Sequence, residues 1–226
     1  MKKETKKIVI SKDGPYLVSG NVPLDKQEIE PDKDNIPHKW KKIKQYSQNE
    51  TTALCRCGKS NNPPYCDGTH IEINFKANDK KPEKYSELAE NYTGKLINLA
   101  DAGKLCAGAG FCHRKGTTWE LINKSDLQSK KEAIHQCSCC PSGRLVAIDK
   151  KGKPIEPKLN QEITITEDSI NNVSGPLWVK GGIEIESSNG EVYEKRNSVT
   201  LCRCGKSKNK PLCDGSHISC KFKVKD

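Results

Sequence analysis

The residues best suited to chemistry in this chain are cysteines and histidines that recur in the same order, about 147 positions apart. Each copy has a Cys-x-Cys pair, eight further residues, and then a Cys followed four positions later by a His. The ligand candidates are Cys55, Cys57, Cys66 and His70 in the first copy, and Cys202, Cys204, Cys213 and His217 in the second. Thiolates and imidazoles suit iron-sulfur clusters or zinc, and they suit magnesium or calcium poorly. The pattern therefore predicts two metal centres.

The spacing within each copy indicates how the ligands are shared. A Cys-x-Cys pair can place two thiolates on one metal ion. Cys66 and His70 lie four positions apart, so one helical turn brings them to the same face. Such a site could give one iron two sulfurs and a second iron one sulfur and one imidazole. The same four ligands could also hold a single structural zinc ion that stabilises a small hydrophobic core. Spacing alone leaves both alternatives open.

A further group of cysteines lies between the copies, in a region from roughly Asp79 to Ile163 that has no counterpart in either copy. Its members are Cys106, Cys112, Cys137, Cys139 and Cys140, the last of which runs into Pro141-Ser142-Gly143. Five cysteines in a short stretch predict a site of their own. A zinc knot and a metal-free redox dithiol are the alternatives to an iron-sulfur centre.

Composition limits the classes of protein that fit. The chain has 226 residues, of which 33% are hydrophobic and 30% charged, so we expect small units with a thin core. The only apolar run near the N-terminus, Ile8-Val9-Ile10, is too short for a signal peptide, and no stretch approaches a membrane span. We therefore expect a cytoplasmic protein with reduced thiols and no membrane contact.

The formal net charge of +10 comes mainly from lysines that are scattered along the chain. They are not banded with aromatic residues, so a solvated lysine surface is favoured over nucleic-acid binding. Attraction to an acidic protein partner is a further alternative.

Similarity between the copies extends beyond the ligands, which indicates duplication. A Tyr precedes the first Cys of each copy by nine positions, a Phe follows each His by five, and residues 14–20 echo residues 175–181.

Short β-rich segments are predicted at 95–99, 145–148, 162–166, 177–179, 183–185 and 198–201, and a short helix at 129–136. The polar segment 24–44 is predicted to be a surface insertion. The Asp-Gly that follows the third Cys of each copy predicts one helical turn, with the Asp as cap and the Gly allowing close approach to the metal.

Both copies resemble the CDGSH iron-sulfur motif of the mitoNEET family. The resemblance includes a Ser and a Pro between the ligands, Ser60 with Pro64 and Ser207 with Pro211, and departs only in Thr69, where Ser is commoner. It implies one [2Fe-2S] cluster on the four ligands of each copy. Family members with two motifs are similar to a dimer fused into one chain, which implies a monomer with internal pseudo-two-fold symmetry.

The central cysteines resemble the divergent single-cluster ferredoxin-like domain, through Cys106-x5-Cys112-His113 and Cys140-Pro141-Ser142-Gly143. The resemblance implies a [4Fe-4S] or [3Fe-4S] cluster held by Cys106, Cys112 and Cys140. Either Cys137 or Cys139 would be the fourth ligand. We prefer Cys137, because a two-residue gap before Cys140 lets both thiolates face one cluster.

Together these features predict a strand-dominated α+β protein with two small pseudo-symmetric CDGSH β-modules that flank a ferredoxin-like insert. The predicted domains are 1–78, 79–163 and 164–226. The expected role is electron transfer or cluster storage and transfer, not catalysis, with a redox or apo-acceptor protein as partner. A single His ligand makes a cluster easier to reduce, and its other ring nitrogen can bind a proton, so His70 and His217 predict proton-coupled redox. A structural zinc scaffold and a redox component that feeds a separate enzyme are the alternatives.

Overall fold

The computed structural model describes residues 5–47 and 49–224 of the chain. Its strands are β1 (Lys7–Ile10), β2 (Tyr16–Ser19), β3 (Leu24–Pro31), β4 (Pro37–Gln45), β5 (Thr51–Leu54), β6 (Glu90–Tyr92), β7 (Asn98–Asp101), β8 (Leu145–Ile148), β9 (Pro154–Ile155), β10 (Ile163–Asp168), β11 (Val173–Lys180), β12 (Glu184–Glu186) and β13 (Ser198–Leu201). The α-helices are α1 (Thr69–Glu72), α2 (Tyr85–Leu88), α3 (Thr118–Leu121), α4 (Leu127–Cys139) and α5 (Ser216–Ser219), and 3-10 turns cover Gly103–Leu105 and Phe111–His113. The predicted strand-dominated α+β class is confirmed.

The two copies are joined by strands that cross between them. One sheet has the order β12-β1-β2-β5, and a second has the order β13-β11-β10-β3-β4. In the first sheet β1 pairs in parallel with β12, with Ile8 opposite Ile185. In the second, β3 pairs in parallel with β10, with Leu24 opposite Ile163. Each sheet therefore contains strands from both copies, and one hydrophobic core serves both.

The prediction of a surface insertion at residues 24–44 was wrong. These residues form the antiparallel hairpin of β3 and β4, which extends the second sheet. The reason is that β10 is buried along its whole length and needs a strand on its other side. Leu24 and Ile29 of β3 turn inward and are buried, while most of β4 is exposed. The many polar residues lie on this outer strand, in the turn that precedes it and at the half-buried positions of β3.

The central module has its own sheet, β6-β7-β8-β9, with α4 packed against β8. Its small core includes Leu99, Ala133, Leu145 and Ala147. Helix α4 is longer than the predicted helix at 129–136 and begins two residues earlier, at Leu127. The Asp126 carboxylate caps this earlier start, because it accepts a hydrogen bond of 2.7 Å from the backbone N–H of Ser129. This helix carries the second group of central cysteines.

Trp40 links the hairpin to the central module. Its ring centroid lies 5.2 Å from that of Phe111 and 5.6 Å from that of Trp178. Its indole N–H also donates a hydrogen bond of 3.0 Å to the carbonyl oxygen of Cys139. The inserted module is therefore packed against β4, which in turn contacts β11 through Trp178.

Within the described ranges, the helices are all too short or too polar to cross a membrane.

Candidate metal centres

The Cys-x-Cys pair of each copy lies in the turn that directly follows a strand, β5 in the first copy and β13 in the second. The Sγ atoms of Cys55 and Cys57 are 3.6 Å apart, and those of Cys202 and Cys204 are 3.8 Å apart. Two thiolates bound to one tetrahedral ion at about 2.3 Å would be separated by about 3.8 Å. Each pair is thus spaced to hold one metal ion.

One thiol of each pair is prepared to act as a thiolate. A hydrogen bond with Cys57, supported by backbone N–H groups of the turn, lowers the pKa of Cys55 to about 5. The corresponding contact with Cys204 lowers the pKa of Cys202 to about 6. The pKa of each partner thiol is raised, because the two sulfurs share one proton.

The third Cys and the His of each copy face each other across one helical turn, as predicted from their spacing. The Sγ of Cys66 lies 3.3 Å from Nδ1 of His70, and the Sγ of Cys213 lies 3.5 Å from Nδ1 of His217. Sulfur and nitrogen on one ion, at about 2.3 and 2.0 Å, would be about 3.5 Å apart. Nδ1 is therefore the ring atom presented to a metal, which leaves Nε2 on the other side of the ring.

The Asp-Gly sequence builds this turn. Asp67 Oδ1 accepts a hydrogen bond of 3.1 Å from the backbone N–H of Thr69, and Oδ2 accepts one of 2.7 Å from that of Asn61. The hydroxyl group of Thr69 also donates to Oδ1, at 2.7 Å, and this bond, followed by the two backbone bonds, lowers the pKa of Asp67. The following Gly68 has a φ of 93°, a left-handed conformation that favours glycine, and no atom crowds the position of a side chain there. In the first copy, glycine is therefore needed for its backbone angle, and its role in close approach to the metal stays a prediction.

The four donors of each copy thus form two pairs. Within residues 5–47 and 49–224, no group of three or more His, Cys, Asp or Glu side chains is gathered closely enough to hold one metal ion. Two pairs, each with the separation that one tetrahedral ion requires, fit the donor set of a two-iron cluster.

The two Cys-x-Cys turns pack back to back. A side-chain carbon at Gly58 would lie 2.6 Å from the carbonyl oxygen of Cys204, and one at Gly205 would lie 2.5 Å from that of Cys57. Only glycine fits either position. This reciprocal contact relates the copies by approximate two-fold symmetry.

The arginine inside each Cys-x-Cys pair is a functional residue that sequence reasoning missed. Arg56 is 1% exposed; its Nε donates to the carbonyl oxygen of Gly14 at 2.6 Å, and its Nη1 donates to Asp79 at 2.8 Å. Arg203 makes the matching bonds, to the carbonyl oxygen of Gly175 at 2.9 Å and to Glu167 at 2.8 Å. Each arginine ties a metal-binding turn to the start of a strand. The sequence does contain a signal for this role, because an arginine lies between the two cysteines of the pair in both copies.

Three of the central cysteines line one cavity. Cys106 and Cys112 lie on the loop 106–112, and Cys140 follows the C-terminal end of α4. Burial, together with the neighbouring thiols of Cys140 and Cys106, raises the pKa of Cys112 to about 11. The structure therefore brings together the three cysteines that the ferredoxin-like resemblance implies.

The two candidates for the fourth ligand point to different neighbours. Cys137 is buried in the module core, and Cys112 packs against the same cluster of side chains. Burial is the main cause that raises the pKa of Cys137, and the charges of Cys140 and Cys112 raise it further. The Sγ of Cys139 instead lies 3.5 Å from Nε2 of His135. These contacts favour Cys137 as the fourth ligand of the central cluster, and this assignment stays a prediction.

Arg144 brings a positive charge to the central cysteines. Its guanidinium forms a bidentate pair with Asp101, at 2.5 and 2.8 Å. The pKa of Arg144 is raised, first by this pairing and, less strongly, by a hydrogen bond with Cys106. A cluster on these cysteines would carry negative charge, which Arg144 would stabilise.

Comparisons with known proteins agree with the geometry. A family model described as iron-binding zinc finger CDGSH type matches residues 13–71 and 174–218, and one described as divergent 4Fe-4S mono-cluster matches residues 92–150. Searches of curated proteins and of solved structures found no significant match. The resemblance inferred from the sequence is confirmed, and this chain is an iron-sulfur protein in which two CDGSH-type iron-binding regions flank one divergent 4Fe-4S region.

Proposed function

We propose that this chain is an electron-transfer protein with two [2Fe-2S] sites and one central [4Fe-4S] or [3Fe-4S] site. The observation that carries the proposal is the arrangement of donors as two pairs in each CDGSH copy, with sulfur–sulfur separations of 3.6 and 3.8 Å and sulfur–nitrogen separations of 3.3 and 3.5 Å. A zinc scaffold would instead gather four donors around one ion.

Each residue has a defined part in this proposal. When bound, the clusters would supply one-electron chemistry. The three cysteines and one histidine of each CDGSH copy would hold one cluster, and Cys106, Cys112, Cys137 and Cys140 would hold the central one. Arg56 and Arg203 keep the Cys-x-Cys turns in place through their buried hydrogen bonds.

The histidines give the CDGSH sites a response to protons. Because Nδ1 of His70 and of His217 faces the sulfur partner, Nε2 is the atom at which a proton can be gained or lost. We propose that electron uptake at these sites is coupled to protonation at Nε2, since added negative charge nearby favours the proton.

Cluster delivery is a second candidate, favoured by one observation. Cys66 and His70 of the first copy are only half-buried, so an acceptor protein could reach them. In either role we propose a protein partner and no organic substrate. The alternative, a redox component that feeds a separate enzyme, differs in the partner and not in the sites.

The proposal is tested by titrating the purified protein with dithionite under anaerobic conditions and following its visible spectrum and EPR. We expect absorption that bleaches on reduction, and separate signals from two-iron and larger clusters. The reduction potential of the two-iron signals should fall as pH rises. A colourless protein that contains zinc would contradict the proposal and support a structural scaffold.

A further inference from the structure

The two CDGSH sites have the same ligands but different surroundings. In the second copy, Cys213 is 2% exposed and His217 is 3% exposed. Their counterparts in the first copy, Cys66 and His70, are half-buried. The helical turns themselves match, so the difference must come from what packs against them.

The central module covers the second site. A side-chain carbon at Gly215 would lie 3.4 Å from the carbonyl oxygen of Cys106, so the loop that carries a central cysteine lies directly against the Asp-Gly turn. On the same loop, Gly108 leaves room for the Cδ1 atom of Ile218, which would clash with any side chain there. Asn209 adds a hydrogen bond of 3.5 Å to the carbonyl oxygen of Lys104.

Among residues 5–47 and 49–224, none covers the equivalent surface of the first copy in this way. Ile71, which corresponds to Ile218, is 74% exposed, and none of these residues lies within 4 Å of the side-chain position at Gly68. Ile73 on the same turn is 46% exposed. The copies therefore differ on the face that carries the His ligand.

We propose that the inserted module is a built-in cover for the second CDGSH site, and that external molecules reach only the first. The covered site retains its metal centre, while the uncovered site is the one open to exchange with solvent or with an acceptor. This inference rests on the proposed presence of a cluster at each CDGSH site, and it assigns different roles to two sites whose sequences are nearly the same.

The test is iron release from the intact, cluster-loaded protein to bathophenanthroline disulfonate, a ferrous chelator, with dithionite as the electron source. Absorbance of the chelate gives the rate, and EPR of samples frozen during the reaction distinguishes two-iron signals from those of the central centre. We expect two phases of two-iron signal loss, in equal amounts, with the slow phase at least about tenfold slower because it requires local opening of the cover.

A matched pair of variants assigns the phases. Ile218→Ala removes the side chain that packs on Gly108 and should accelerate the slow two-iron phase by about tenfold. Ile71→Ala makes the same change at the exposed counterpart and should leave both phases unchanged. Equal release rates from the two sites in the parent protein, or equal effects of the two variants, would overturn the proposal.

A measurement on the unaltered protein tests the proposal even if the Ile218→Ala variant fails to fold. After exchange into deuterium oxide, pulsed EPR should detect strong deuterium coupling for one of the two reduced two-iron centres and weak coupling for the other. Strong deuterium coupling for both two-iron centres would overturn the proposal that the second site is covered. A protein that binds no iron at all would instead contradict the proposed function, so the two failures are distinguishable.

Discussion

The hydroxyl group of Tyr16 donates a hydrogen bond of 2.8 Å to the carbonyl oxygen of Cys202, which joins a strand of the first copy to the metal-binding turn of the second. The same hydroxyl lies 3.1 Å from the carbonyl oxygen of Pro211, and Tyr16 is fully buried. One side chain thus holds both ends of the loop from Cys202 to Pro211, and it lies 186 residues before Cys202 in the sequence.

Replacing Tyr16 with Phe should therefore destabilise the protein. The buried carbonyl oxygen of Cys202 would lose its donor, which we expect to cost about 2 kcal/mol in the free energy of unfolding. The carbonyl oxygen of Pro211 keeps a hydrogen bond of 2.8 Å from the backbone N–H of Cys202. Urea unfolding followed by circular dichroism measures this cost. Tyr92→Phe is the control, because its hydroxyl bonds to Glu90 at the surface and its loss should have little effect. Equal effects of the two changes would argue against a structural role for the Tyr16 bond.

Single substitutions of the two helix cysteines should separate the fourth central ligand from its neighbour. Cys137→Ser should alter the central cluster signal and remove at least about one iron atom per chain, because the remaining three thiolates can hold at most a three-iron centre. Cys139→Ser should leave the iron content unchanged, since Cys139 faces His135. Iron analysis with EPR distinguishes the two results. If Cys139→Ser lost the central signal and Cys137→Ser kept it, the assignment would be reversed.

Changing the histidine of a CDGSH site to cysteine should alter its redox and acid behaviour. A thiolate donates more charge than a neutral imidazole, so His217→Cys should lower the reduction potential of its centre by on the order of 100 mV. It should also make the centre more stable in mild acid, because the protonatable ligand is gone. Redox titration and the decay of visible absorbance at acidic pH are the measurements. His70→Cys, the matched change at the first site, should act on the other centre alone; unchanged potentials would rule out a ligand role for the imidazoles.

The cap of α4 predicts a pH dependence. The pKa of Asp126 is lowered, chiefly by the hydrogen bond from the backbone N–H of Ser129. A carboxyl whose pKa is lower in the folded state stabilises the fold fully above its unfolded value, and that stabilisation is lost as pH falls through the lowered folded value. Asp126→Asn keeps a capping oxygen without the charge, so the parent protein should exceed this variant in stability at neutral pH and lose the advantage below about pH 4.

Thermal unfolding of the parent protein and the Asn variant, from neutral pH to about pH 3, measures this difference. Asp126→Ala removes the capping oxygen as well and should be less stable than the Asn variant at every pH. A difference between the parent and Asp126→Asn that does not change with pH would show that the charge has no part in the cap.

Local features of the fold were accessible from the sequence. The turn that presents His70 follows from the spacing of Cys66 and His70 and from Asp67-Gly68, whose capping oxygen and left-handed backbone are properties of those residue types. Strand β8 was predicted with its observed ends, because its short apolar run is bounded by Gly143 and by a turn.

Contacts between residues far apart in the sequence could not be predicted in the same way. The pairing of Leu24 with Ile163 joins strands from different copies, and nothing in either local pattern specifies the partner. The difference in exposure between His70 and His217 is a sharper case, because their flanking sequences are nearly the same. It arises from the position of the loop that carries Cys106, which only the packed structure reveals.

We propose that each CDGSH copy holds two irons through two pairs of donors. The decisive experiment is an analysis of iron, acid-labile sulfide and zinc in protein purified without oxygen. We predict about four iron atoms per chain from the two copies, with about three or four more from the central site, matching sulfide, and little zinc. About one zinc ion per copy, with no labile sulfide, would contradict the account.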